Sequence, residues 1–394
     1  MFAVAYLCIS TVSLIILSLD NIKSKYKSLI IACFFAIFAF FITPTIMGNN
    51  LDFVRYFNDL NTFRTYRELS GIKNTLNYMY SYPIGGNSGI EISEQSTYGG
   101  IPGTLLLMFV FSYVPNKFLL AFVAFIVIYC SIRLMGGVSE KYINSRKTLV
   151  MTGFLFFALL PFMRVVSGFR TYIVASVFSY CVWLKLVCKK RNFAFWGIYL
   201  LLMLIHPLIA IPVLLFILTN LFVDRKPIMR MLDVALLFTK FAQDFIVYII
   251  SNLVFIPFFS SIFIKSNQYQ DQSSFSQIEF IRSLLLFFII MLVFICSNLW
   301  TDTDKKYNEF VLLIICFTLG SLFNPLAFGR YTTVLLFASI PYFCQISNWK
   351  DSKYTLSRET RLIQILLFTL IFALSVLILV DNLRASLIYV QLGI

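Results

Sequence analysis

Charge is what this chain has least of. Asp, Glu, Lys and Arg make up 13% of its 394 residues, about half the share of a soluble domain, too little polar surface to cover a fold in water. Acids are the scarcer sign, with 18 Asp and Glu against 32 Lys and Arg, a formal charge of +14. No glycine-rich phosphate loop of the GxxxxGK[ST] type occurs, which argues against an ATP-driven pump. The eight cysteines have no CxxC spacing and histidine occurs once, so neither a zinc module nor a disulfide framework is expected. No internal repeat and no linker rich in Pro, Gly or Ser divides the chain. Together these absences exclude a soluble enzyme, a disordered tail and a nucleic-acid module.

What is present is apolar. Hydrophobic residues reach 59%, with 44 Phe and 21 Tyr, and the mean hydropathy is +0.85. A membrane span needs about 20 mostly apolar residues. Candidate runs are 2–19, 28–47, 117–135, 148–163, 170–187, 193–205, 207–222, 233–256, 280–300, 309–323, 331–347 and 361–380. The pair 193–205 and 207–222 could be one broken or re-entrant hairpin around His206-Pro207, because proline removes a backbone donor. The run 101–114 is too short to span and reads as a half-helix. The first run lacks a basic n-region and precedes Lys23, Lys25 and Lys27, so it is expected to be retained as a span.

The Lys/Arg-rich segments fall on one side of this alternation: 23–27, 133–147, 189–191, 225–230, 305–306 and 350–361. By the positive-inside rule that side is cytoplasmic. Both termini then face outward, with the long segment 48–100 and the shorter loop 265–278. The chain, 1–394, reads as a single integral membrane domain, all-α, a polytopic transmembrane helix bundle of about twelve spans. Segment 48–100 is expected to form a helical, outward-facing cap.

Charges at a membrane rim are costly and mark functional candidates. Asp52, Arg55, Tyr56 and Asp59 share one helical face by their spacing. They make either an interfacial amphipathic helix with an Arg55–Asp59 pair or a face that holds a charged headgroup. Arg164 and Arg170 flank Ser167-Gly168 in an outward turn, where arginine can donate bidentate bonds to phosphate or merely snorkel. His206 is either a base poised near neutral pH or a packing residue. Asn324-Pro-Leu-Ala-Phe-Gly-Arg-Tyr places Asn324, Arg330 and Tyr331 at another outward turn, and the long loop adds Glu91 and Glu94. Arginines in place of a carboxylate cage suit an anionic diphosphate with no metal and no cofactor. Lys240 and Asp244 are the main charges within a span.

Several short motifs resemble the EpsG-like, Wzy-type bacterial polysaccharide polymerases. Arg170-Thr-Tyr-Ile-Val-Ala-Ser looks like that family's arginine-initiated span. Ile205-His-Pro-Leu-Ile-Ala resembles its span-borne histidine, and Leu51-Asp-Phe-Val-Arg-Tyr its D-x-x-x-Y segment. Glu94 with Tyr98-Gly99 is a looser match to its acidic element, and Arg330 to a later arginine. The chain departs from the commonest form in having Thr171-Tyr172 after Arg170 and Pro207 directly after His206.

The resemblance implies a GT-C-like membrane glycosyltransferase of the bacterial cytoplasmic (inner) membrane, with its site facing the periplasm or exterior. It would move a glycan from undecaprenyl diphosphate to the terminal sugar of another undecaprenyl-diphosphate-linked repeat unit, building O-antigen or another polysaccharide. His206, Arg170, Arg330, Asp52 and Glu94 would act in catalysis. Arg55, Tyr56, Arg164, Tyr331, Asn324 and Tyr98 would bind substrate, with membrane lipids and a chain-length regulator as partners and no nucleic acid. An O-antigen ligase using the same donor is the nearest alternative, and a lipid-linked oligosaccharide flippase or transporter the alternative from another class.

Overall fold

The computed structural model describes residues 1–45, 51–83, 98–142, 146–190, 192–239, 277–300, 304–347 and 358–392. Glu91, Glu94, Lys240, Asp244 and nearly all of loop 265–278 lie outside the described residues, as does most of the run 233–256.

The chain begins with α1 (Phe2–Ser18), α2 (Ser24–Phe40) and a short strand β1 (Ile42–Pro44), followed by the long α3 (Asp52–Ser81). A 3-10 turn, Tyr98–Gly100, leads into α4 (Pro102–Phe111), α5 (Lys117–Tyr142), α6 (Arg146–Leu159), α7 (Phe162–Ser167) and α8 (Phe169–Leu186). Then come α9 (Ala194–Ile205), a second 3-10 turn Pro207–Ile209, α10 (Ala210–Phe222) and α11 (Lys226–Leu237). The last third holds α12 (Gln277–Trp300), α13 (Lys305–Gly320), α14 (Pro325–Ala338), α15 (Ile340–Ser347), α16 (Arg358–Tyr389) and strand β2 (Val390–Leu392). The class is all-α apart from one sequence-invisible detail: β1 and β2 pair antiparallel, Thr43 opposite Gln391. Thr45 Oγ1 adds a bond to the Ile388 carbonyl at 2.7 Å, tying the end of α2 to the end of α16.

Among the described residues, three helices are long and apolar enough to cross a membrane: Lys117–Lys141, Gln277–Leu299 and Leu362–Tyr389. The other apolar helices among the described residues are shorter. Twelve-residue α9 rises only about 18 Å, against a hydrocarbon core of about 30 Å. Breaks sit where the sequence removes donors or side chains: at Pro161, at Gly168, and at His206-Pro207. At the last break α9 and α10 fold into an antiparallel hairpin, with Trp196 and Tyr199 packed on Phe216.

The two ends of the bundle are chemically distinct. At one end Lys27 Nζ bonds the Leu17 carbonyl at 2.9 Å and Lys141 Nζ the Val187 carbonyl at 2.7 Å. These lysines satisfy carbonyls at helix C-termini, where positive charge is favoured. Arg230 pairs with Glu309 there at 2.6 Å. At the opposite end Phe40 meets Phe118, Arg164 meets Glu279 and Arg282 meets Asp381. Each of these contacts joins residues that the span alternation puts on the same side. Between the ends lies an aromatic core in which Phe35 packs on Phe157 and Phe162, and Tyr6 donates to the Phe157 carbonyl at 2.7 Å.

The α3 segment caps the second end. It breaks at Gly71, whose φ of 77° is a left-handed value that favours glycine. Arg64 donates to the carbonyls of Ser112 and Val114, and Arg67 to that of Ser112 while stacking 3.9 Å over Tyr113. These arginines satisfy the carbonyls that α4 leaves open at its C-terminus. The N-terminal half of α4 docks in turn on the His206 break: Gly103 lies against the Leu204–Ile205 backbone, and Thr104 Oγ1 donates to the Ile205 carbonyl at 2.8 Å.

Candidate functional site

A cavity of about 730 Å³ opens at the end of the bundle opposite the Lys27 and Lys141 contacts. It is assembled from segments far apart in sequence. The start of α3 brings Leu51 and Asp52, and the α7–α8 turn brings Arg164, Ser167, Gly168, Thr171 and Tyr172. Helix α14 presents Leu326, Gly329, Arg330 and Thr333, spaced as one helical face. Glu279, Arg282 and Ser283 come from α12; Asp381, Asn382, Arg384, Ala385 and Ile388 come from α16. Among the described residues the lining thus carries four arginines from four helices (Arg164, Arg282, Arg330, Arg384) and three carboxylates (Asp52, Glu279, Asp381).

Two of those arginines are held by acids across helix–helix seams. Arg164 Nη2 bonds Glu279 Oε1 at 3.1 Å. Arg282 binds both oxygens of Asp381, with Nη2 to Oδ1 at 2.8 Å. Gly168 allows the turn that aims Arg164 this way: its N–H closes on the Arg164 carbonyl at 2.7 Å, and α8 starts at the next residue.

The sequence brings Arg164, Arg170, Arg330 and His206 to one place; the structure divides them. Arg164 and Arg330 share the cavity, while Arg170 and His206 do not line it. Arg170 turns toward α3 instead, its guanidinium 5.7 Å from the Tyr56 ring, which packs on Phe169. The expected polar face of α3 is divided as well. Asp52 and Arg55 are exposed and pair with each other at 3.6 Å, so Arg55 pairs with Asp52 and not with Asp59. Tyr56 and Asp59 are buried with Phe53, Leu60 and Phe63, and Tyr98 donates to Asp59 Oδ2 at 2.7 Å. Burial, reinforced by the charge of Asp59, holds the Tyr98 phenol well above its ordinary value of 10.0. Burial likewise raises Tyr56, against the opposing pull of Arg170.

His206 is 7% exposed and ends α9 in an extended conformation. Its Nδ1 accepts the Leu208 N–H at 3.3 Å, so the imidazole caps the 3-10 turn that Pro207 opens. Asn324 caps too, its Oδ1 accepting the Ala327 N–H at 3.0 Å, and is absent from the cavity lining. Tyr331 points off the cavity face of α14 and packs on Phe317. Four of the expected site residues thus make their contacts away from the cavity lining: His206, Asn324, Tyr331 and Tyr98.

Sequence inspection missed Glu279, Arg282, Asp381 and Arg384. Each pair is spaced i, i+3, which puts an acid and an arginine on one helical face. Three of the four fall just outside the hydrophobic runs 280–300 and 361–380, whereas the helices themselves start at Gln277 and continue to Tyr389. A search for acid–arginine pairs at the edges of the runs would have found them. No protein-family model, no curated protein and no solved structure matches this chain.

Proposed function

We propose that the chain is a membrane glycosyltransferase that polymerises lipid-linked glycans, with the diphosphate of a polyprenyl-linked donor bound in the arginine cavity. One observation supports this above the rest: four arginines from four helices line one cavity at one end of an apolar bundle. Arginine keeps its charge in a cleft of low dielectric and offers paired donors that match phosphate oxygens. A volume of about 730 Å³ lies within the usual range for a ligand site and has room for a diphosphate with its first sugar.

The chemistry follows from that placement. A hydroxyl of the acceptor glycan attacks the anomeric carbon of the donor, and the lipid diphosphate leaves. Guanidinium groups already fixed around the leaving oxygens stabilise the charge that grows there in the transition state. Arg164 and Arg282 are oriented by Glu279 and Asp381 before any ligand arrives, so less is lost on ordering them. On this proposal the bundle is GT-C-like with about twelve spans. The short helices cross as hairpins or at hydrophobic mismatch, and the cavity faces outward across a bacterial inner membrane.

The test is reconstitution. Purified protein in liposomes is given a polyprenyl-diphosphate-linked repeat unit, and products are separated by length. A ladder from the wild type that is lost in Arg164→Ala and Arg330→Ala supports the proposal. Transfer to a lipid A core acceptor but not to a second repeat unit would redirect it to a ligase.

A further inference from the structure

The three carboxylates of the cavity are held in different ways. Asp381 is gripped on both oxygens by Arg282. Asp52 stands at the exposed start of α3 and pairs with Arg55 at 3.6 Å. Glu279 takes a single bond, Arg164 Nη2 to Oε1 at 3.1 Å, and its Oε2 hydrogen-bonds none of the described residues. Its side chain is 43% exposed and lines the cavity. It sits in the first turn of α12.

We propose that Glu279 is the general base that takes the proton from the attacking hydroxyl, and that doing so hands Arg164 over to the leaving diphosphate. This rests on the glycan transfer proposed above. In the step, the acceptor O–H gives its proton to Glu279 Oε2 while its oxygen forms a bond to the anomeric carbon. The bond from that carbon to the diphosphate oxygen breaks, and its electron pair leaves with the lipid diphosphate. Glu279 becomes neutral as it gains the proton, so its hold on Arg164 weakens at the moment the leaving oxygen gains charge. Proton return to the diphosphate or to water, followed by product exchange, resets the pair. The arrangement joins base and electrophilic partner in one ion pair, which a lone histidine on a helix break does not provide.

Glu279→Gln keeps an acceptor for Arg164 but cannot take up a proton. In proteoliposomes with donor and acceptor lipids, its kcat is expected to fall about 10²–10⁴-fold, the usual range for a general base, with KM for the donor unchanged. Glu279→Ala is expected to lose turnover similarly and to regain part of it when formate is supplied as a small carboxylate. Both variants are compared at equal folded amount, measured by thermal unfolding followed through tryptophan fluorescence. Wild-type turnover from Glu279→Gln would overturn the proposal. So would a loss that lies in donor KM alone with no formate rescue of Glu279→Ala, since that marks an arginine-positioning role. A wild-type protein that transfers no glycan overturns the functional proposal itself, a result distinct from either.

Discussion

Arg330 and Arg170 are interchangeable by sequence, since each opens an apolar helical run, yet the structure gives them different work. The perturbation that separates them is Arg→Ala at each position, compared on two axes. Arg330 lines the cavity on the same face of α14 as Leu326, Gly329 and Thr333. Removing one charge-assisted contact costs about 1.5–3 kcal/mol, so Arg330→Ala should weaken binding of a polyprenyl diphosphate ~10–150-fold. Lys at this position should restore little binding, because it lacks the paired fork. Arg170 lies outside the cavity lining, 5.7 Å from the Tyr56 ring. A cation–π contact is worth about 0.5–2 kcal/mol and a hydrogen bond to a charged group about 1.5–3 kcal/mol; Arg170 makes both with buried Tyr56, so Arg170→Ala should lose about 2–5 kcal/mol of stability while leaving ligand affinity intact. Binding of labelled polyprenyl diphosphate to protein in nanodiscs gives the first axis, and thermal unfolding in the same nanodiscs the second. The reasoning fails if Arg170→Ala loses affinity at unchanged stability while Arg330→Ala binds normally.

Five further outcomes are expected. Tyr98→Phe removes the hydroxyl donated to buried Asp59 at 2.7 Å and should destabilise by about 1–3 kcal/mol, read by thermal unfolding, with Tyr98→Leu worse. Tyr98 and Tyr56 have folded pKa values above the ordinary 10.0. Their contribution to stability is therefore full below about pH 10 and is lost as pH rises through the folded values, which a tyrosinate absorbance titration alongside unfolding would follow. Gly103→Ala places a Cβ 2.7 Å from the Ile205 nitrogen and the Leu204 carbonyl carbon. Backbone atoms cannot swing aside, so α4 must shift, costing about 1–3 kcal/mol and measurable as faster proteolysis of the α4–α5 corner. His206→Asn keeps a cap for the turn at Pro207 and should retain most glycan transfer, whereas His206→Ala should lose about 1 kcal/mol of stability; inactive but stable protein from both would restore the histidine as base. Chelation should leave transfer in proteoliposomes intact, because arginines carry the positive charge in the cavity; strict dependence on added Mg²⁺ would contradict that assignment.

How much of this was legible in the sequence depended on whether a feature was local. The half-helix at 101–114 was read from its length alone, and it appears as ten-residue α4. The amphipathic helix beginning at Asp52 was read from spacing, and it appears as α3. Its polar face was misjudged because spacing gives direction around a helix but not what stands opposite. Tyr56 and Asp59 turned out to face Phe169 and Tyr98, so they are core, while Asp52 and Arg55 one turn earlier stay in solvent. The pairing of β1 with β2 joins residues 348 apart, Thr43 and Gln391, and three-residue strands carry too little pattern to be seen.

The same distinction explains why the candidate cavity contains only part of the expected set. Arg164 and Arg170 are six residues apart and were joined by a turn whose geometry spacing alone does not fix. Gly168 ends α7 and begins α8, with φ −87° and ψ 41°, and the two guanidinium groups have different partners. One faces Glu279 on α12 and the other Tyr56 on α3. A site assembled from five separate segments is therefore visible only as its fragments: each helix contributes an i, i+3 acid–arginine pair or a single arginine, none remarkable by itself. What joins them is helix packing, α14 against both α12 and α8, and α16 against α12. Helix α14 adds a single charge, Arg330, on a lining face it shares with the small or apolar Leu326, Gly329 and Thr333, and alone it reads as an ordinary helix start.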